Sequence, residues 1–317
     1  MRILSRLLAV ALIAAAGSVS AQENYPSEPL RLIVPTDPGG SVDALARIFQ
    51  RKIEELGIYP SVVVVNQPGA GGTIGTRAVK DADPDGYTVG LWSPGIITSK
   101  AMGVVDYDHT AFTVLGGTGL TEIGMGVLND SQYETPQQLI EASRAEPNSV
   151  VVATNIGLPV HFIPMMFADE ADIEMKFVQI GGGSKRLASI LGGHTDIALF
   201  SVSEFQRFGE SGLRPLFLYS DARDPALPDV PTAKESGVDL SISVFRVWLA
   251  PAGLEPDVQA KLEETLKAVV EDPAIIAELE GMAINPEWIT ADEVSERLDD
   301  MNARTEPLIS AARAMAN

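Results

Sequence analysis

The chain contains no cysteine, so disulfide bridges are excluded, and so is a lipid-modified cysteine following a cleaved leader. Positive charge is scarce: 23 Lys and Arg stand against 43 Asp and Glu, a formal charge of −20. Such a balance argues against nucleic acid or an anionic membrane surface as a partner. It does not exclude a small anionic ligand, because a site held by backbone amides inside a cleft is only weakly coupled to distant, screened surface charge. The three histidines, His109, His161 and His194, lie far apart in sequence, and no H-x-x-x-H pair occurs; a zinc site has no support. No G-x-x-x-x-G-K-[ST] phosphate loop is present. GAGGTIG fails the dinucleotide spacing because Ile74 stands where the third glycine is required. GGSKR fails as a nucleophile elbow because Arg186 replaces its closing glycine. No fixed-period repeat or low-complexity segment appears.

What is present begins with an export signature. Arg2 and Arg6 precede an apolar stretch from Leu7 to Ala16, and Val19-Ser20-Ala21 offers small residues before a cut at Gln22. Residues 1–21 are therefore expected to be a signal peptide; a membrane anchor needs about 20 apolar residues. The mature chain, 45% hydrophobic over the full sequence, is long enough for one large or two ordinary globular domains.

Leu30 to Val34 reads as a buried strand, followed by the loop PTDPGGSVD. From Ser41 the apolar positions Val42, Leu45, Phe49, Ile53 and Leu56 recur at helical spacing and stop at Gly57. Ser41 is the expected N-cap, and Asp43 falls in the first turn, where its charge complements the helix dipole. Val62 to Val65 is a β-branched run, apolar on both faces like a covered parallel strand. The economical reading is a βαβ unit. NQPGAGGTIG then forms a second glycine-rich loop before a helix over Thr73 to Lys80 and a strand over Tyr87 to Trp92. A second α/β unit is expected to begin near residue 126. It includes a helix opening at Thr135, a strand from Val150 to Ala153, the loop TNIGLPVHF, and a loop, helix and strand over Gly181 to Phe200. Leu216 to Ser220 reads as one more strand. After Pro251 the chain turns helical, with DVQAKLEETLKAVVED and Ala291 to Ala316 as amphipathic segments. His194 is expected to follow a helix end at Gly192 and Gly193. His161 either reaches a ligand or packs locally.

Ligands of parallel sheets gather at the carboxyl ends of the strands, where these loops meet. Glycines followed by a helix start make a cradle for an anion, since unpaired N–H groups and the helix dipole point outward there. Each charge-assisted bond of this kind contributes about 1.5–3 kcal/mol. Several such loops, with no paired nucleophile, base or metal, have the profile of a binding protein.

The segments YPSEPLRLIVPTDPGGSVDALAR, VVVVNQPGAGGTIGTRAV, DPDGYTVGL, GGGSKRLASILGGHTDIA, DARDPALPDVPTAKESGV and LAPAGLEPDVQAKL follow one another along the chain. In this order the sequence resembles the periplasmic solute-binding proteins of the tripartite tricarboxylate transporter family, the Bug or TctC-type receptors. The resemblance implies a two-domain α/β periplasmic binding protein of type II-like architecture. Each domain would be a mainly parallel sheet flanked by helices, and crossing strands would hinge the pair. Residues 27–125 with 247–317 would form domain one, and 126–246 domain two. It implies a free periplasmic monomer, no cofactor, no metal and no catalysis. Its ligand would be a di- or tricarboxylate, an acidic amino acid, nicotinate or an aromatic acid, and its partners integral membrane permease subunits. The carboxylate grip maps onto Thr36, Asp37, Gly39, Gly40, Ser41, Gly71, Gly72 and Thr73, with Thr154, Asn155, His161, Ser184, Ser201 and Arg246 as the remaining expected contacts. Four departures stand out. Asp37 replaces a small or apolar residue, Leu158 and Pro159 replace serines, Asn155 replaces a glycine, and Arg246 matches only part of the family. Arg246 pairs with a ligand carboxylate, with Asp37 or with another acid. Two other readings are a receptor that presents its closed form to a sensor kinase, and a hydrolase or isomerase using Asp37 or His161 as base.

Overall fold

The structure, a computed structural model, describes residues 25–282 and 284–316; the expected signal peptide lies outside these residues. The first lobe starts with β1 (Leu30–Val34), α1 (Ser41–Leu56), β2 (Val62–Asn66), α2 (Thr73–Lys80), β3 (Thr88–Trp92), α3 (Gly95–Ala101) and β4 (Phe112–Thr121). The chain then passes at Glu122 into β5 (Ile123–Leu128), α4 (Pro136–Ala145), β6 (Val151–Thr154), α5 (Pro159–Glu170), β7 (Lys176–Gln179), α6 (Gly183–Leu191), β8 (Ile197–Ser201), α7 (Val202–Phe208) and β9 (Leu213–Leu218). It returns through β10 (Val244–Pro251), α8 (Pro256–Val270), α9 (Pro273–Gly281), β11 (Asn285–Ile289), α10 (Ala291–Thr305) and α11 (Ile309–Ala316).

Two sheets result, in the orders β11-β4-β10-β3-β1-β2 and β7-β6-β8-β5-β9. In the first, β1 pairs in parallel with β2 and β3, as a βαβ unit requires, whereas β10 runs antiparallel between β3 and β4. In the second, β6 is parallel to β7 and β8, and β5 is antiparallel to β8 and β9. The architecture is the expected two-lobed α/β one, but the sheets are mixed rather than mainly parallel. The cause is topological: β5 and β10 follow the passages between lobes, and each enters its sheet against the direction of the βαβ strands, as β11 does at the edge of the first sheet.

Period-two alternation explains how β1 is buried on both faces. Leu30, Leu32 and Val34 join one apolar cluster with Leu45, Phe49 and Ile53 of α1, and Ile33 joins another on the opposite face. Phe49 meets Trp248 of β10 with ring centroids 4.5 Å apart. The second cluster is shared between lobes. Ile97 of α3, Phe162 and Phe167 of α5, Phe217 of β9 and Leu298 of α10 all belong to it, so α10 braces the inner helices of both lobes. Gly57 ends α1 in the left-handed region, φ +66°, as expected of a closing glycine. The segment read as one helix from Ala291 to Ala316 is broken by a tight turn at Glu306–Leu308, where Pro307 removes a backbone donor.

Candidate functional site

The carboxyl ends of β1 and β2 face each other through two loops, and one buried acid ties them together. Asp43, 2% exposed, accepts the Gly39 N–H at 2.8 Å and Arg47 Nε at 3.0 Å through Oδ2. Its Oδ1 accepts Asn66 Nδ2 at 2.9 Å, and the same amide donates to the Thr36 carbonyl at 3.1 Å. Arg47, with the Gly39 and Asn66 donors, holds the Asp43 carboxyl down to about 2 despite its burial. Asp43 is therefore an ionised strut. The N-cap of α1 is Gly40 rather than Ser41, which is the first helical residue and exposed. No side chain caps the start of α1; Asp43 reaches back from the first turn to the N–H of Gly39, ahead of the cap. Among the described residues no protein acceptor meets the N–H groups of Ser41 and Val42, leaving two donors at a positive helix end.

The second loop turns through Ala70–Gly72, with Gly71 and Gly72 at φ +67° and +93°. Gly72 abuts Trp92 at the end of β3, and a Cβ there would stand 2.2 Å from the ring. Thr73 is turned back into the loop, its hydroxyl donating to the Ala70 carbonyl at 2.8 Å.

A cavity of about 380 Å³ opens between these loops and the start of α5, with Thr36, Asp37, Gly71, Gly72, Trp92 and Leu158 on its wall. The Oγ1 of Thr36 is buried and has no hydrogen-bond partner. Asp37 is exposed. Gly39, Gly40, Ser41 and Thr73 do not line it, and the first three are exposed to solvent. A second cavity, about 500 Å³, lies across Ser93, Leu158 and Pro159, which both cavities share. Arg246 lines it, half-buried, and makes no ion pair with Asp37 or any other described carboxylate. Burial lowers the Arg246 pKa from its ordinary value.

The remaining expected contacts lie away from both walls. Thr154 is fully buried and donates to the Val160 carbonyl at 2.7 Å. Asn155 accepts from Gln179 Nε2 at 2.7 Å. Ser201 caps α7 in a reciprocal arrangement with Glu204, and Ser184 is exposed in the first turn of α6. His161 is fully buried in α5 between the rings of Phe162 and Phe177. Its Nδ1 accepts the Gly157 N–H at 3.3 Å, and burial lowers its pKa to about 4, so it is a neutral packing residue. The residues that the second lobe presents to both cavities are Leu158 and Pro159, while Val160, Ile163 and Asp221 line the larger one alone.

A family model described as tripartite tricarboxylate transporter family receptor, TctC, matches residues 45–313. The chain belongs to that family. This TctC-family chain is 30% identical to a UPF0065 protein from the tcbD-tcbE intergenic region of Pseudomonas sp. (strain P51), with 98% of this chain and 95% of the relative covered. It superposes on the crystal structure of a TctC solute binding protein from Polaromonas, solved without ligand. The TM-score is 0.81 at 25% identity, over 91% of this chain and all of the other. It shares its fold with R. palustris Rpa4515 with adipate, TM-score 0.72 at 23% identity, over 91% of this chain and 98% of that one. The family is one of solute-binding receptors, not enzymes. Among the described residues, no group of three or more His, Asp and Glu could hold a metal, and no helix is long and apolar enough to cross a membrane.

The TctC-type cleft also contains residues that sequence reasoning missed. Trp92 could have been found, because it closes a predicted strand beside a glycine loop. Ser93, Ser241, Ser243 and Arg297 carried no local signal; the return of β10 and α10 from the C-terminal part of the chain brings the last three to the cleft.

Proposed function

We propose that this receptor captures a small organic carboxylate in the periplasm between its two lobes and hands it to a membrane permease of the tripartite tricarboxylate type. The observation that carries the reading is the paired-loop cradle. Asn66 and Asp43 lock the two loops together at a cavity walled by Thr36, Gly71 and Gly72, and among the described residues the Ser41 and Val42 N–H groups at the start of α1 meet no protein acceptor. Backbone donors at a helix start hold a carboxylate without a basic side chain. The adipate bound by Rpa4515, a neighbour in fold, is a ligand of this chemical class. In this reading residues 27–125 with 247–317, and residues 126–246, close as the halves of a hinged clamp, with Leu158 and Pro159 meeting the ligand from the second half. Closure follows from contacts that exist only when both halves touch the ligand. Asp37 at the cavity mouth selects for a hydroxyl, amine or protonated group beside the carboxylate.

Differential scanning fluorimetry and calorimetry with a panel of di- and tricarboxylates, acidic amino acids and aromatic acids test the proposal. At least one acid should raise the melting temperature by several degrees and release measurable heat. A panel that gives neither would overturn it.

A further inference from the structure

Glu122 is the residue at which the chain leaves β4 for β5, and Ser243 is the last residue before it returns along β10. The two passages between the lobes run side by side, because Val244 pairs with Thr121 in the antiparallel ladder. Ser243 Oγ lies 3.1 Å from Glu122 Oε1 and 2.9 Å from Oε2, so its hydroxyl donates to the carboxyl group and ties one passage to the other. The Glu122 carbonyl accepts the Val202 N–H at 3.0 Å, which anchors its backbone to the start of α7. Just beyond the tie, the register of β10 against β4 shifts between Val244 and Arg246, an irregularity of the kind that lets a strand bend.

This place is poorly suited to a charge. Glu122 is half-buried, and among the described residues no Lys or Arg forms an ion pair with it. Asp221 and Asp224, in the segment after β9, act on it with like charge, and Arg297 of α10 acts with opposite charge. Asp221 is itself bound to Lys234. Glu204, in the first turn of α7, is turned to Ser201 and Arg207. Burial raises the Glu122 carboxyl above its ordinary 4.5, and the Ser243 hydrogen bond opposes that rise. The passages as they lie here therefore hold the Glu122 proton more firmly than water does. By linkage, acid favours this arrangement, and ionisation favours one in which the carboxylate is hydrated.

We propose that Glu122 is a proton-linked switch in the connection between the lobes: protonated, it stays packed against Ser243, and on losing its proton it draws the two passages toward an arrangement that gives the carboxylate water. Ser243 also lines the 500 Å³ cavity, so the switch reaches the wall of the cleft, and capture between the lobes becomes pH-dependent. The inference rests on the hinged-clamp reading and not on the identity of the ligand.

The chain has no cysteine, so nitroxide labels can be placed at Ala268→Cys in α8 and Glu141→Cys in α4, both exposed positions. Double electron–electron resonance then gives the distance between the lobes of the mature, unliganded chain at a series of pH values. Carbon NMR of the side-chain carboxyls follows Glu122 in parallel, its signal assigned by its loss in Glu122→Gln. The expected result is a one-proton change in the distance distribution, centred where Glu122 titrates and above pH 4.5. Glu122→Gln should keep the acid-side distribution at every pH. Ser243→Ala removes the donor that favours the ionised form and should raise the midpoint by about half a pH unit or more, whereas Ser243→Thr should restore it. Titration of Glu122 at or below 4.5, a transition that survives Glu122→Gln, or a distance independent of pH would each overturn the inference. A distance that answers to an acid of the carboxylate panel at constant pH, but not to pH, overturns this inference alone; one that answers to neither overturns the hinged clamp with it.

Discussion

Gly72 lies against the Trp92 ring so closely that a Cβ on it would be 2.2 Å from the nearest ring carbon. The second loop thus owes its path to a glycine hydrogen, and the indole becomes part of the cavity wall. Gly72→Ala combines a left-handed backbone, φ +93°, with a steric clash. It should cost about 2–4 kcal/mol and weaken carboxylate binding as well. Urea unfolding checks the first part; a loss under 0.5 kcal/mol would show that Trp92 can move aside.

Asp43→Ala removes the acceptor shared by Gly39, Arg47 and Asn66. Leaving these donors unpaired should cost roughly 1–3 kcal/mol and loosen both loops at once, so ligand affinity should fall with stability. Asn66→Ala should reproduce the effect more mildly, because Asp43 would still hold Gly39 and Arg47.

The same residue sets an acid limit. The Asp43 carboxyl is ordinarily near 3.8 and is held at about 2 when folded, so the folded state binds its proton less readily than the unfolded chain. Its stabilisation is complete above about pH 4 and disappears as the pH falls through 4 toward 2. Wild-type protein should lose more stability over that window than Asp43→Asn, as read from unfolding free energies at each pH.

His161 acts at higher pH. Its folded value of about 4 lies below the ordinary 6.5, so the unfolded chain takes up this proton first. Stability is present above pH 6.5 and declines as the pH falls from 6.5 to 4, by on the order of 3 kcal/mol in full. His161→Leu should flatten that part of the stability profile, and a profile unchanged by the substitution would refute the assignment of a buried neutral imidazole.

Asp37→Ala should move stability by less than about 0.5 kcal/mol, since Asp37 is exposed. Its effect should fall on selectivity: affinity for hydroxy- or amino-acids should drop relative to the matching plain carboxylates. Equal changes for both classes, measured by calorimetry, would remove Asp37 from ligand choice.

Much of the fold was legible locally. The strand at Leu30–Val34, the helix from Ser41 and the parallel β2 announced themselves through period and through Gly57. The glycine loops were legible as well, because positive φ angles and a close aromatic neighbour demand glycine. Less legible were β4, β5 and β10. Glycine-rich FTVLGGTGLT and IGMGVL have no clear alternation, and only pairing with strands far along the chain makes them strands. Ser41 looked like a cap by residue type, yet Gly40 holds the cap position and no side chain caps the helix, while the Asp43 carboxylate reaches back to the Gly39 N–H and fixes the loop instead.

By itself, the sequence determined the export signature expected over residues 1–21, the absence of cysteine chemistry, the α/β class and the cradle loops, since all of these rest on residue type and near neighbours. Only the tertiary structure decided that His161 is buried, that Leu158 and Pro159 face the cleft, and that Arg246 lines a cavity without a carboxylate partner among the described residues. Those outcomes depend on which way a side chain is turned and on what segments distant along the chain bring beside it, and no local pattern encodes either.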